Sequence, residues 1–308
     1  VKNPVFILLL IVAAALTFGL ARWVDNAYGY FAGYVVLQYI VLSTAWNILG
    51  GYTGYVNFGI PAFIAVGAYS TVVLHKTTHL PLIVMMVIGG ALSALLGMGT
   101  GYLTLRLRGT FFSIATLAMA VVMQTLVTNW AFVGGSRGAY IIRPAKVDYL
   151  GLDYIQYLFL MMLGLCILAV ATARAIEKSR LGYGFATIRD DEAAAEASGV
   201  PTLKLKLIAC ALSGGFMGMA GAPLPYYVTY LDPASAFSLS YAVNTIAMPL
   251  IGGTSSWLGP IIGALLLGTL QQVATVTISS ALSLLIVGVL LVFFVVVAPK
   301  GILGWFGK

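Results

Sequence analysis

RAIEKSRLGYGFATIRDDEAAAEASGVPTLKLK, residues 174–206, is the stretch on which the reading of the fold turns. The chain has 16 basic and 9 acidic residues, and 11 of these 25 fall in this one stretch, with long apolar runs flanking it on both sides. It reads as a water-facing, cytoplasmic loop within one transmembrane domain of residues 1–308.

Composition agrees. At 308 residues, 61% hydrophobic, 8% charged and with a mean hydropathy of +1.01, the chain lacks the polar surface that a soluble globule of this size must show to water. Several apolar runs reach or approach the roughly 20 residues that cross hydrocarbon as helix. The alternation over about ten residues that marks an outer-membrane barrel is absent. The fold class that follows is an all-α polytopic membrane protein with about 8–10 transmembrane or re-entrant helices and lipid as its surroundings.

Spans read as residues 5–21, 31–49, 61–74, 80–105, 111–133, 155–173, 207–227 and 284–298. Two shorter runs between residues 241 and 273 are broken at residues 252–256, so eight full spans with a re-entrant pair and ten spans fit equally well. Residues 5–20 also fit a secretory signal, but membrane sequence follows them and they are read as the first span. With residues 174–206 inside, 11 Lys and Arg fall inside and 5 outside. The positive-inside rule then places both termini in the cytoplasm. The net charge of +7 points to topology and to no nucleic-acid partner, because the basic residues stand singly at the ends of apolar runs.

Within the charged stretch the local chemistry predicts a short helix. Asp190 is its expected N-cap, Asp191 and Glu192 put negative charge in the first turn, and Ala193 to Ala197 favour helix. Gly199 and Pro201 stop it. Glu192 and Glu196 share a face, and Ala193, Ala194 and Ala197 leave a neighbouring face nearly flat, open to close approach by another surface.

Two stretches break the run of helices: GGYTGYVNFGIP at 50–61 and GGTSSWLGP at 252–260. Backbone freed from helical hydrogen bonds must be buried in protein or line a wet cavity, and Gly/Pro-interrupted segments in the two halves point to a transport site. The plain alternative is a pair of ordinary cytoplasmic turns.

TIRDDEAAAEASGV at 187–200 resembles the Glu-Ala-Ala loop of ABC importer permeases, with Gly199 one residue later than in the general motif. Five further stretches are similar, in order and spacing, to the branched-chain amino acid permease family: residues 50–69, 105–120, 133–138, 249–264 and 298–304. The resemblance covers most of residues 49–304. It implies a bacterial inner-membrane permease subunit of an ATP-driven importer, working with cytoplasmic ABC ATPase subunits, a second related permease and an external solute-binding protein. Residues Asp190, Asp191, Glu192, Ala193, Ala194, Glu196, Ala197 and Gly199 would then form the helix that seats in the ATPase. Branched-chain amino acids are the implied cargo, with urea, short amides or other amino acids as the near alternative and a stand-alone channel or carrier as the distant one.

The missing chemistry is informative. No GxxxxGK[ST] phosphate loop occurs, so ATP, if it powers transport, is bound and hydrolysed by a partner; no cofactor is expected. The spans carry no Asp, Glu, Lys or Arg, which argues against an ion-coupled carrier and suits a cargo without net charge. Gly134-Gly-Ser-Arg-Gly138 fits the GxSxG elbow pattern, but Ser136 lies between two apolar helices, and no catalytic residue is assigned. His75 and His79 are four apart without a neighbouring acid or Cys, and Cys166 and Cys210 lie in apolar runs, so no metal site is read.

Intramembrane amides and hydroxyls remain for cargo contact. Most such groups are interhelical glue. Asn57, in broken backbone, and Asn244 and Thr245, on the short second-half run, are the candidates. Arg137, Arg143 and Lys146 face outside, where they can meet an acidic rim on a delivery protein.

Overall fold

Lipid offers the backbone no hydrogen bonds, so an apolar chain of this composition satisfies its amides within helices. The computed structural model shows this, describing residues 15, 19, 27–78, 80–104, 109–147, 152–277, 280–297 and 301–306. All of the first expected span except residues 15 and 19 lies outside them, as do His79, Lys2, Arg22, Arg106, Arg108, Lys300 and Lys308.

Helix α1 (Ala27–Thr53) is followed by α2 (Ile60–Thr77), which opens with Pro61 in its first turn, then α3 (Leu82–Thr104) and α4 (Thr110–Thr128). Two 3₁₀ turns at 131–137 lead to the two-residue strands β1 (Ala139–Tyr140), β2 (Lys146–Val147) and β3 (Leu152–Asp153). Next come α5 (Tyr154–Glu177), α6 (Arg180–Asp190), α7 (Glu192–Ala197), α8 (Thr202–Gly221), α9 (Leu224–Val228), β4 (Tyr230–Leu231) and α10 (Pro233–Ala236). Helices α11 (Leu239–Gly252), α12 (Leu258–Thr277), α13 (Ser280–Val297) and α14 (Gly301–Phe306) complete the described chain.

Helices α1 and α8 form the centre, packed against α2, α3, α5 and α12. Glycine makes the closest of these contacts, as expected where no hydrophobic force drives helix association in lipid. A Cβ at Gly97 would fall 2.8 Å from the Cys210 carbonyl oxygen, and one at Gly214 2.9 Å from that of Ser93. Gly67, Gly218 and Gly221 bring α2, α3 and α8 closer still. By contrast α4 turns most of its surface outward, with Phe111, Ile114, Val121, Val122 and Leu126 exposed.

The helices alternate between two ends. One end gathers Lys76, whose Nζ donates to the Phe132 carbonyl at 2.9 Å, the β1–β4 ladder and Arg143 over the Phe31 ring. The other end carries residues 174–206 and both glycine-rich breaks. Sequence left open broken backbone at depth and a pair of ordinary turns, and the structure adopts the second. Helix α1 continues to Thr53 and α11 to Gly252, so each break is a turn at this end, and a Cβ at Gly51 would meet the Thr254 carbonyl at 2.8 Å. Trp257 and Gly301 lie at this end too, so α11, α12 and α13 each run between the ends and the re-entrant alternative is not adopted.

Candidate coupling site

The charged stretch is more helical than a loop. Ser179 accepts from the Gly182 amide to start α6, which runs on through Asp190. This corrects the expected cap. Asp191, not Asp190, takes the extended conformation, and its Oδ1 accepts from the Ala193 and Ala194 amides at 2.9 and 3.0 Å. Both aspartates have capping chemistry; α6 consumes the first, leaving the second at the junction. Asp190 pairs with Arg189 at 3.2 Å on the surface.

Helix α7 is closed by Gly199 at φ +82, whose amide reaches the Glu196 carbonyl while that of Val200 reaches Ala195. A positive φ there favours glycine. Ala195 is buried beneath the helix, whereas Ala193, Ala194, Ala197, Ser198 and Gly199 are exposed and present the flat face outward.

Glu192 turns the opposite way. Its Oε1 accepts from Lys206 Nζ at 2.6 Å, and its Oε2 accepts from the Tyr55 hydroxyl. Lys206 also reaches the Tyr55 hydroxyl at 3.2 Å and lies 4.8 Å from that ring. Tyr55 belongs to the first break. A second acid on α7, Glu196, accepts from Thr202 Oγ1 at 2.6 Å. The helix is therefore fastened on its inner side to α8 and to the α1–α2 turn.

A second carboxylate joins the two breaks. Glu177 Oε2, in the last turn of α5, accepts from the Trp257 amide at 2.8 Å and from the Tyr52 hydroxyl at 3.3 Å, and the Arg174 guanidinium lies 5.7 Å from the Trp257 ring. Sequence reading singled out neither Glu177 nor Lys206, Tyr52, Tyr55 or Trp257. The available signal was the placement of Glu177 and Lys206 at the two edges of the charged stretch.

The remaining candidates do not converge. Asn57 is buried, its Oδ1 accepts from the Gly59 amide at 2.7 Å and its carbonyl from Trp46 Nε1 at 3.0 Å. Asn244 donates to the Tyr39 hydroxyl at 3.1 Å and accepts from Gln271 at 2.9 Å, whereas the buried Thr245 hydroxyl finds no partner among the described residues. Arg137, Arg143 and Lys146 share the opposite end; the Arg137 carbonyl accepts from the Tyr230 hydroxyl at 2.9 Å, and Lys146 faces Asp153 across the β2–β3 ladder. Ser136 is exposed in a 3₁₀ turn, not on a strand–turn–helix elbow. His75 Nδ1 is 2.8 Å from the Tyr226 hydroxyl, and among the described residues no three His, Cys, Asp or Glu side chains gather as a metal site.

An all-α bundle with seven described segments long and apolar enough to cross a membrane, bearing a capped helical elbow fastened to one end, defines a multi-pass membrane transport subunit. The chain belongs to the family of permease components of branched-chain amino acid transport systems, which it matches over residues 30–295. It is 27% identical to the high-affinity branched-chain amino acid transport system permease protein LivM of Salmonella typhimurium and to that of Escherichia coli, over 98% of this chain and 75% of each relative. It is 23% identical to the probable branched-chain amino acid transport permease protein LivH of Methanocaldococcus jannaschii, over 80% of this chain and 82% of that one. No solved structure matches.

Proposed function

We propose that this chain is the permease subunit of an ABC importer for leucine, isoleucine and valine in a bacterial inner membrane, with residues 174–206 and both termini in the cytoplasm. The observation that carries the reading is α7 itself: six residues, capped at both ends, held inward by Glu192, Ala195 and Glu196, with an alanine face left open. Ala193, Ala194, Ala197 and Gly199 form the seat for an ATPase subunit; Asp190 and Asp191 rim it; Glu192 and Glu196 anchor it.

ATP is bound and hydrolysed by that partner. A second related permease completes the membrane part, and a solute-binding protein delivers cargo to the end carrying Arg137, Arg143 and Lys146. Asn57, Asn244 and Thr245 remain the proposed polar contacts of the pathway, with Thr245 best supported because its buried hydroxyl is unpartnered among the described residues.

The test is uptake of labelled leucine into vesicles rebuilt with this chain, its partner permease, the ATPases and internal ATP. Uptake should require both ATP and the binding protein. Flux through this chain alone, without ATP, would overturn the reading, and ATP-driven uptake of urea or short amides in preference to leucine would change the cargo but keep the machine.

A further inference from the structure

We propose that Tyr55, Glu192 and Lys206 on one side, and Tyr52, Glu177 and Trp257 on the other, form a two-joint linkage that passes displacement of α7 to a latch between the two glycine-rich turns. The inference rests on the importer reading above and names the positioning residues through which that importer's coupling acts.

The first joint holds α7 to the α1–α2 turn. Glu192 gives one oxygen to Lys206 and the other to Tyr55, and the Glu192 and Lys206 side chains are 13% and 4% exposed. A carboxylate so withdrawn from water and occupied at both oxygens is not available to a docking partner. Its displacement must be carried by what it holds, since a buried charge left unpaired is costly. Gly54 lets this turn pass close to α6: its φ is +78, and a Cβ there would meet Arg189 Cγ at 3.3 Å. Movement of the α6–α7 elbow therefore acts on residues 54 and 55 directly.

The second joint begins three residues away. Tyr52, in the last turn of α1, shares the single oxygen Glu177 Oε2 with the backbone amide of Trp257 in the α11–α12 turn. That oxygen is a hydrogen-bonded link between the two breaks, and beside it the backbones are in near contact at Gly51 and Thr254. Pulling on Tyr55 shifts Tyr52 and loosens the shared acceptor, freeing the α11–α12 turn from α1 and α5. The two turns separate at the end where cargo must leave.

The experiment uses the full reconstituted assembly and reads leucine taken up per ATP hydrolysed, together with efflux of preloaded leucine without ATP. Tyr55→Phe removes one oxygen and keeps the ring, and should lower uptake per ATP at least about fivefold, the lower end of ordinary coupling between sites. Glu177→Ala should raise ATP-independent efflux at least about fivefold, whereas Glu177→Gln, which keeps an acceptor oxygen, should restore efflux to within about twofold of the unmodified level. A merely structural role would change the amount of protein in the membrane and leave both ratios alone. Unchanged ratios in Tyr55→Phe and Glu177→Ala overturn the linkage while leaving the importer standing. Absence of ATP-driven uptake in the unmodified assembly overturns the importer reading, and the linkage with it.

Discussion

Lys206 Nζ stands 2.6 Å from Glu192 Oε1 where the two side chains are only 4% and 13% exposed. Attraction between charges so placed offsets their desolvation only while both are present. Lys206→Met removes the cation that faces the Glu192 carboxylate, and Glu192→Gln leaves an ammonium facing an amide. Each single change is expected to cost about 3–5 kcal/mol of stability. The double variant should cost clearly less than the sum, because no unpaired charge remains. Thermal unfolding of the four proteins in one detergent checks this, and strict additivity would show that the pair is not coupled.

Close helix approach through glycine sets the next expectation. A side chain at Gly218 would collide with Ser93 and the Gly89 carbonyl, so Gly218→Val must push α3 from α8. A loss of about 2 kcal/mol or more is expected, in the range of overpacked cores. A methyl group at Gly164 on α5 would instead have nothing within 4 Å, and Gly164→Ala should keep stability or raise it by up to about 1 kcal/mol. Equal melting temperatures for the two variants would contradict the glycine-packed arrangement.

What could be read from sequence divides along physical lines. Helices, their alternation and the α7 elbow depend on composition and on residues a few positions apart, so the apolar runs, the acidic start and Gly199 announced them. The position of the cap did not follow, because Asp190 and Asp191 are chemically equal and only the length of α6 separates them. The links through Glu177 and Glu192 join residues 80 and 137 positions apart, and such partners are set by packing that no local pattern encodes. The glycine-rich turns were visible, but whether they broke a span or ended one depended on where α1 and α11 stop.

The face of α7 opposite Glu192 yields a pair of contrasting substitutions. Gly199 has open space around it and a φ of +82, so conformation rather than room restricts the residue. Asn visits this region more readily than other residues, and Gly199→Asn is expected to keep most uptake. Gly199→Val costs about 1–2 kcal/mol of local strain, and Gly199→Pro cannot adopt the angle; both should lose uptake. Ala194→Trp puts a large ring on the open face and should abolish ATP-driven uptake while the protein still reaches the membrane. Normal uptake by Ala194→Trp would remove α7 as the seat of the ATPase.

At the opposite end, Asp232 provides a titration with a defined sign. Its carboxylate caps α10, accepting from the Ser235 hydroxyl and, at 3.0 Å, from the Ser235 amide. The Ser235 side chain, helped by nearby amides and only partly opposed by desolvation, holds the Asp232 pKa below the ordinary value of 3.8. A depressed folded-state value means that the carboxylate's contribution is complete above the unfolded value and is lost as pH falls through the lower folded one. Between neutrality and about pH 5 the cap should therefore be constant, and protection of the α10 amides should decline only below the ordinary carboxylate range. Hydrogen exchange corrected for intrinsic rates reads this, with Asp232→Asn as the variant that keeps an acceptor but cannot titrate. Loss of protection beginning near pH 6, or the same acid dependence in Asp232→Asn, would assign the transition to another group.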